Sequence, residues 1–300
     1  MGRRSVIYNA AGLALEGEFT RADLLPAEEG AVPYRFVLRS DPASRPPLWV
    51  HEWSDPSKLG HARCGRTVSG YVLRFEAVAD YVCDLGAREI RCHPQRGVES
   101  ETLTGFLIGQ VMPRLANLER PPVLHASAVA WRGVGLVFAG AAGAGKSTLA
   151  AGLCIESCGL LSDDCVALRA SGPAFECLPT ARGLRLSDRA VEVLSSSAAP
   201  LAVSDAVPLR ALFILDPAQA PDLPPMARMR RTDALLRLVR YSYQMDPHDR
   251  RQLAAQFDAV SRIVALVPVF ALRVPRGLGR LREISRFVLE QIEAVGAGSV

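Results

Sequence analysis

Apolar and polar residues follow a strand-like pattern in the first hundred residues and a helical pattern directly afterwards. Residues 71–82 and 89–93 alternate in part between the two kinds of side chain, which is typical of strands with one buried face. Residues 101–118 instead repeat leucine and valine near helical spacing. We therefore predict a small β-rich domain over residues 1–100, followed by a helix.

The helical pattern ends at Pro121 and Pro122, so residues 101–122 are predicted to be a helix and a proline joint. Strand-like and helix-like runs share the rest of the chain, and we predict an α/β domain over residues 123–300. The predicted strands are 124–131, 135–140, 159–168, 211–216 and 267–272. One predicted helix begins at residue 148, and three more lie near 232–244, 248–262 and 278–294.

The turn after the apolar run 135–140 fits the phosphate-binding pattern G-x-x-x-x-G-K-[ST], called a P-loop. Its residues are Gly140, Ala141, Ala142, Gly143, Ala144, Gly145, Lys146, Ser147 and Thr148. Glycines let backbone N–H groups surround phosphate oxygens, and the following helix adds partial positive charge. Lys146 is expected to reach the outer phosphates of ATP, and the Ser147 hydroxyl to hold Mg²⁺. The alternative is a turn rich in glycine and alanine that binds nothing.

The use of lysine supports the P-loop interpretation. Only two of the 35 basic residues are lysines, Lys58 and Lys146. A compact ammonium suits the loop better than the planar fork of arginine does.

A histidine is predicted beside the mouth of the P-loop by the register of a hairpin. If Arg132 and Gly133 are the two turn residues, Trp131 pairs with Val134 and His125 lies opposite Gly140. Arg-Gly is a weaker turn signal than Asn-Gly, so a register shift of one residue stays open. A purely structural histidine is the alternative role for His125.

Two adjacent acids lie within the next predicted strand. If residues 159–168 form the second strand of a crossover, Asp163 and Asp164 lie beside the P-loop. Side chains alternate along a strand, so only one of the two carboxylates needs to face the phosphate. Carboxylates there suit metal binding and deprotonation of an attacking hydroxyl. A solvated pair in a loop is the alternative.

Three further residues are weaker candidates for the same site. Arg182 and Arg185 could clamp a phosphate, although arginines are abundant throughout this chain. Asp216 ends an apolar strand in the manner of a Walker B acid, the metal-binding carboxylate of many ATPases.

Composition and charge exclude several classes of protein. The net charge of +4 is too small to indicate nucleic-acid binding. The sequence contains no run of 18 apolar residues, so we expect no membrane span. The seven cysteines form no C-x-x-C pair, so free thiols in a reducing cytoplasm are expected rather than disulfides or zinc. We therefore predict a cytoplasmic protein, with a homo-oligomer left open.

The order and spacing of His125, the P-loop and the Ser162-Asp163-Asp164 run resemble the HPr kinase/phosphorylase family. The resemblance covers residues 103–290 and is closer to the HPr-kinase-related proteins of bacterial gene clusters, including kinases of lasso-peptide precursors. It implies a P-loop kinase domain of the HPr kinase/PEP carboxykinase-like type. This chain departs from the family at Thr148, where a glutamate is frequent, and at Thr180, where the family's Glu-x-Arg-Gly motif begins.

The resemblance also implies roles for individual residues. Asp163 would be the general base, Asp164 would support the site or the metal, and Lys146 and Ser147 would bind phosphate and metal. His125 would contact the phosphate region. Which of the two aspartates is the base stays open.

The predicted function is an ATP-dependent, Mg²⁺-requiring kinase that transfers the γ-phosphoryl group to a hydroxyl, that of a serine in a peptide or protein. The alternatives are a P-loop ATPase that uses Asp216 and a nucleotide-binding regulator without catalysis. The 1–100 domain, which lacks a catalytic constellation, is predicted to bind the acceptor or a partner protein.

Overall fold

The computed structural model describes residues 6–19, 21–44, 46, 48–55, 60–120, 122–180, 203, 205–218, 226–275 and 278–297. The chain divides into two compact units. The first unit comprises Met1–Pro121 and Tyr243–Gln256, and the second comprises Pro122–Ser242 and Phe257–Val300. The sequence pattern did not indicate that the segment Tyr243–Gln256 returns to the first unit.

The described part of the first unit contains a nine-stranded mixed sheet in the order β3-β1-β2-β4-β9-β8-β7-β6-β5. Its strands are β1 (Ile7–Ala10), β2 (Leu13–Glu16), β3 (Leu25–Pro26), β4 (Tyr34–Leu38), β5 (Leu48–Asp55), β6 (Gly60–Arg66), β7 (Gly70–Phe75), β8 (Ala79–Asp84) and β9 (Glu89–Pro94). The strand predicted over residues 71–82 is instead a hairpin of β7 and β8, because Glu76–Val78 form a turn.

A continuous helical segment packs on this sheet. It consists of α1 (Ser100–Phe106), a π-helical turn (Leu107–Val111) and α2 (Met112–Glu119). The Phe106 ring contacts Phe75 edge to face at 5.0 Å, and the Tyr81 hydroxyl donates a hydrogen bond to the Leu103 carbonyl at 2.7 Å. The predicted helix 101–118 is present, and its apolar stripe faces the sheet.

The returning segment Tyr243–Gln256 is attached to the first unit by polar contacts. Asp246 is buried and forms an ion pair with Arg66 of β6. The Gln252 side-chain amide donates to the Tyr71 hydroxyl at 2.7 Å. These partners are about 180 residues apart in sequence, so no local pattern could have indicated them.

The described part of the second unit contains a second sheet in the order β10-β14-β15-β16-β12-β11-β13, with β18 beside β16 and β17 beside β18. Its strands are β10 (Val123–Leu124), β11 (Ala126–Trp131), β12 (Val134–Ala139), β13 (Gly159–Ser162), β14 (Val166–Ser171), β15 (Ala174–Cys177), β16 (Val207–Ala218), β17 (Met226–Arg228) and β18 (Val269–Pro275). Its helices are α3 (Lys146–Ile155), α4 (Arg231–Arg240), α5 (Arg250–Leu266, which begins within the first unit) and α6 (Leu281–Ala297).

Helices cover both faces of the second sheet, and alternation along each strand assigns residues to a face. Val129, Phe138 and Phe213 belong to one hydrophobic cluster with α3 and α6. Ala128 and Val137 belong to the opposite cluster with α4 and α5. We call the first of these the α3 face.

The hairpin of β11 and β12 has the predicted register. Trp131 pairs with Val134, and Ala126 pairs with Ala139. The turn residues Arg132 and Gly133 have φ values of +49° and +79°, as a two-residue turn with the twist of its strands requires. The register therefore brings His125, just before β11, to the level of Gly140.

The predicted strand 159–168 is interrupted at residues 163–165, which separate β13 from β14. Strand β13 pairs with β11, and both β12 and β13 run antiparallel to β11. Strands β12 and β13 therefore run in the same direction with β11 between them, and their carboxyl ends lie at the same edge of the sheet. In the described residues, no helix has the length and apolar character needed to span a membrane.

Candidate active site

The P-loop connects β12 to α3 and depends on glycine at three positions. Gly143 and Gly145 have φ values of +76° and +94°, in the left-handed region that favours glycine. A Cβ on Gly140 would lie 3.2 Å from both the Ala144 Cβ and the Leu215 carbonyl oxygen. Residues 141–143 are exposed, so an anion could approach the loop from solvent.

Lys146 is buried at the start of α3 and folds back over the loop. Its ammonium donates hydrogen bonds to the carbonyl oxygens of Gly140 at 3.0 Å and Ala141 at 3.1 Å. The same Nζ lies 3.1 Å from the Nε2 atom of His125. Lys146 is thus held by carbonyl groups of the same loop that is expected to bind the phosphates.

These contacts assign a tautomer to His125. An ammonium group has donors only, so Nε2 of His125 must accept and the ring proton must be on Nδ1. Nδ1 lies 3.1 Å from the Asp164 carbonyl oxygen and 3.2 Å from its Oδ1 atom, which are both acceptors. His125 therefore links Lys146 to Asp164 as a neutral imidazole.

The aspartate pair lies in a turn that is fixed by hydrogen bonds. Asp164 has a φ of +69°, which is uncommon for a residue with a side chain. The Ser162 hydroxyl bonds to the Cys165 carbonyl and lies 2.5 Å from the Thr180 hydroxyl. The Thr180 backbone N–H donates to the Leu161 carbonyl at 2.9 Å. Strained backbone held by surrounding contacts is common at functional sites.

Asp163 is held on the α3 face by a buried serine. The Ser127 hydroxyl donates to Oδ1 of Asp163 at 2.6 Å, and both residues are buried. Ser127 shares the side of β11 with Val129, which packs in the α3 cluster. Burial, with a smaller contribution from the Asp163 charge, raises the pKa of the Cys154 thiol in α3 to about 12.

The structure thus brings His125, Lys146 and Asp164 into direct contact, and places Asp163 on the same face of the sheet. Ser147 and Thr148 are half-buried in the first turn of α3, as the motif requires. Sequence reasoning missed Ser127, although a lone hydroxyl two residues after His125 in an apolar strand was an available signal. It also missed Ser162 and Thr180 as the residues that fix the turn. Arg182 and Arg185 lie outside the described residues.

The described residues contain no group of three or more His, Cys, Asp or Glu side chains that could hold a metal ion. Mg²⁺ bound with a nucleotide does not need such a group, because it uses one or two carboxylates together with phosphate oxygens and water. The Ser147 hydroxyl and the carboxylate of Asp164 supply hard oxygen ligands of the required kind. The predicted metal ligands therefore fit Mg²⁺ in their chemistry.

Asp216 is placed differently from a metal-binding acid at the P-loop. It follows Leu215 in β16, and Leu215 belongs to the α3 cluster, so Asp216 lies on the opposite side of the strand. Its carboxylate is more than half exposed and lies 3.4 Å from Nη1 of Arg237 in α4. The sequence pattern predicted that a strand 211–216 ends at Asp216, but β16 continues to Ala218. Alternation along this strand directs the Asp216 carboxylate away from the α3 face.

The described residues define a mixed α/β protein with two sheets and a P-loop in the second unit. The chain belongs to the family described as SynChlorMet cassette protein ScmC, whose model matches residues 107–289. A solved structure described as the Hpr(Ser) kinase/phosphatase from Coxiella burnetii is similar to this chain. That similarity has 14% identity and a TM-score of 0.36, and covers 59% of this chain and 100% of the other. No curated protein matches this chain.

Proposed function

We propose that this protein is an ATP-dependent kinase that transfers the γ-phosphoryl group to a hydroxyl, most readily that of a serine in a peptide or protein. One observation carries the proposal: the turn with Asp163 and Asp164 lies at the edge of the sheet where the P-loop begins, and His125 joins that turn to Lys146. A site that only bound phosphate would not need the buried carboxylate of Asp163 on the α3 face, next to the P-loop helix.

The P-loop residues would bind the nucleotide by the physics of a helix N-terminus. Backbone N–H groups of residues 143–148 and the dipole of α3 attract phosphate oxygens. Lys146 would exchange the Gly140 and Ala141 carbonyls for the outer phosphates, since anionic oxygens are better acceptors for an ammonium. Mg²⁺, held by Ser147 and Asp164, would neutralise charge that develops during transfer.

Asp163 would accept the proton of the attacking hydroxyl. The Ser127 hydroxyl fixes one carboxylate oxygen of Asp163 and so holds the carboxylate on the α3 face. Asp164 is the weaker candidate, because its carboxylate contacts His125. Phosphoryl transfer passes through a loose transition state, so positioning and charge neutralisation supply most of the catalysis.

Two other functions remain as alternatives. An ATPase that uses Asp216 is disfavoured by the side of β16 on which Asp216 lies and by its contact with Arg237. A nucleotide-binding regulator without catalysis would not explain why Ser127 holds a buried carboxylate on the α3 face. We further propose that the first unit binds the acceptor and that the protein works in the cytoplasm, where ATP and reduced thiols occur together.

The test uses labelled ATP and a panel of serine-containing peptides, each paired with its serine-to-alanine version. Lys146→Ala should abolish turnover and weaken ATP binding, because the phosphates lose their fixed cation. Asp163→Asn keeps the shape of the side chain but removes the proton acceptor. It should lower transfer by roughly 10²–10⁴ while ATP binding persists.

Asp216→Asn is the matched control, since it makes the same chemical change on the opposite side of the sheet. Transfer should be almost unaffected by it. If Asp216→Asn were damaging and Asp163→Asn harmless, with phosphate released rather than transferred, the ATPase would be the correct function. If neither transfer nor release occurs in the presence of bound ATP, a regulator would be the correct function.

A further inference from the structure

The first unit contains a buried cation that the proposed phosphoryl transfer does not use. Arg114 lies in α2 and exposes only 9% of its surface. Its guanidinium carbon lies 4.7 Å from the centre of the Trp53 ring and 5.6 Å from that of Tyr243. Aromatic faces attract a guanidinium through the negative charge of their π-electrons.

The hydrogen bonds of Arg114 leave one edge of the guanidinium unused. Nη1 donates to the carbonyl oxygen of Gln110 at 2.8 Å and to its side-chain oxygen at 2.9 Å. Nε is buried without a hydrogen-bond partner, and among the described residues no acceptor is recorded for Nη2 either. Gln110 itself belongs to the π-helical turn, a feature that is frequent at functional sites.

The unused edge is the one with which other arginines of this chain hold carboxylates. Arg21 donates from Nε and Nη2 to the two oxygens of Asp23, at 2.7 and 2.6 Å. Arg74 does the same to Asp80, at 2.8 and 2.6 Å. Arg114 presents the same pair of donors without a carboxylate from the described residues.

The charged groups around Arg114 do not neutralise it. The carboxylate of Asp246 pairs with Arg66 and also accepts the His248 backbone N–H at 2.9 Å. Burial, and then the nearby charges of Arg114 and His248, lower the pKa of His51, so its imidazole is neutral at physiological pH. Burial likewise lowers the pKa of Arg114. Buried charges in proteins are normally paired, and this one has no anion among the described residues.

We propose that the Nε–Nη2 edge of Arg114 binds a carboxylate carried by a peptide, next to the rings of Trp53 and Tyr243. A carboxylate matches the edge because it offers two oxygens in one plane and a single negative charge. A phosphate dianion would need a second cation, and Arg66 is already paired with Asp246. Trp53 and His51 lie in β5, the edge strand of the sheet, and are partly exposed, so a ligand would enter from that side.

That the carboxylate belongs to a peptide rests on the proposed function, whereas carboxylate binding itself does not. The carboxylate could be a Glu or Asp side chain or a peptide C-terminus, and the probes distinguish these sources. The first probe is glutamate with both termini capped, and capped glutamine is its uncharged control. The second probe is N-acetylalanine, which has only a C-terminal carboxylate.

Binding can be followed in the full-length protein without nucleotide, by NMR of the tryptophan indole N–H groups. The chain has three tryptophans, so Trp53→Phe identifies the Trp53 signal. Trp131 is an internal control, because Arg132 stacks on it at 4.7 Å but pairs with Glu293. One of the two carboxylates should shift the Trp53 signal saturably, with a Kd on the order of 1 mM for so small a probe. Capped glutamine should leave the signal in place.

Two substitutions test the role of the edge. Arg114→Lys keeps the charge but removes the fork, so carboxylate binding should weaken about tenfold or more. Arg88→Lys is the matched control, because Arg88 also stacks on a tyrosine and has a buried Nε without a partner, but pairs with Glu119. It should leave binding unchanged. If Arg114→Lys does not fold, the comparison of glutamate with glutamine on the unmodified protein decides.

Three results would overturn the proposal. The Trp53 signal could stay unchanged with both carboxylates, it could shift equally with chloride or with inorganic phosphate, or it could shift as much in Arg114→Lys as in the unmodified protein. Because no nucleotide is present, none of these results bears on the kinase proposal. Conversely, a protein without kinase activity that still binds the carboxylate would leave this inference intact.

Discussion

Gly152 in α3 provides a direct test of how the P-loop helix is held. A Cβ at this position would lie 2.5 Å from Oγ of Ser285, 2.7 Å from Cγ of Leu281 and 2.8 Å from its Cδ1. Real Cβ atoms essentially never approach so closely, so Gly152→Ala must push α3 and α6 apart or displace these side chains. Ser285 is fully buried and its hydroxyl bonds to the Leu281 carbonyl at 2.8 Å, so it has little room to move.

The expected magnitude follows from two opposing effects. Overpacking in a filled core costs about 1–3 kcal/mol. Replacing glycine by alanine inside a helix returns about 0.5–1 kcal/mol. Gly152→Ala should therefore lower the free energy of unfolding by about 0–2.5 kcal/mol, and Tm by up to a few degrees for a unit of this size.

Gly105→Ala is the matched control, because Gly105 also lies in a helix but a Cβ there meets nothing within 4 Å. It should raise stability by about 0.5–1 kcal/mol. Calorimetry is the suitable assay, since two units need not unfold in one transition. If Gly152→Ala stabilised the protein as much as Gly105→Ala does, the packing of α3 against α6 would not be as close as described.

Two further predictions concern the Asp164 turn and the buried thiols. Asp164→Gly should raise stability by about 0.5–1 kcal/mol, because glycine adopts the φ of +69° without strain, yet phosphoryl transfer should fall with the loss of the carboxylate. Asp164→Ala should lower both stability and transfer, and equal stability of the two variants in urea unfolding would argue against strain. Burial raises the pKa of Cys64, Cys92, Cys154 and Cys158 to about 12, against about 8.5 in an unfolded chain. The unfolded state therefore loses these protons first, and the free energy of unfolding should be highest below about pH 8.5 and fall as the pH rises towards 12, which urea titrations at several pH values would show.

The structure also bears on how the two units can be separated. A fragment that starts near residue 103 would contain α5 and Tyr243–Gln256 without the strands that Asp246 and Gln252 contact. Asp246 and Gln252 would then lose Arg66 and Tyr71, and the segment would lose its polar attachment to the first sheet. Substitutions in the intact chain are therefore the better test of what the first unit does.

Local sequence determined the parts of the candidate site that depend on short stretches of chain. The P-loop follows from glycines at fixed spacing before a helix, and the position of His125 follows from a two-residue turn whose register counts back from Trp131. The Asp163–Asp164 pair was predicted beside the P-loop because a strand, a helix and a second strand form one local unit, although the strand predicted over 159–168 ends at Ser162. Each of these inferences needs only neighbours within a few tens of residues.

Tertiary structure alone decided the rest. The contact of Asp163 with Ser127 joins residues 36 apart on different strands, and its direction depends on which face of the sheet α3 covers. The same alternation places Asp216 on the other side, although its sequence context resembles that of a metal-binding acid. The contacts of buried Arg114 with Trp53 and Tyr243 require an edge strand, a helix and the segment Tyr243–Gln256 to meet. Contacts between segments so distant in sequence impose no periodicity on any of them, so only the folded chain reveals them.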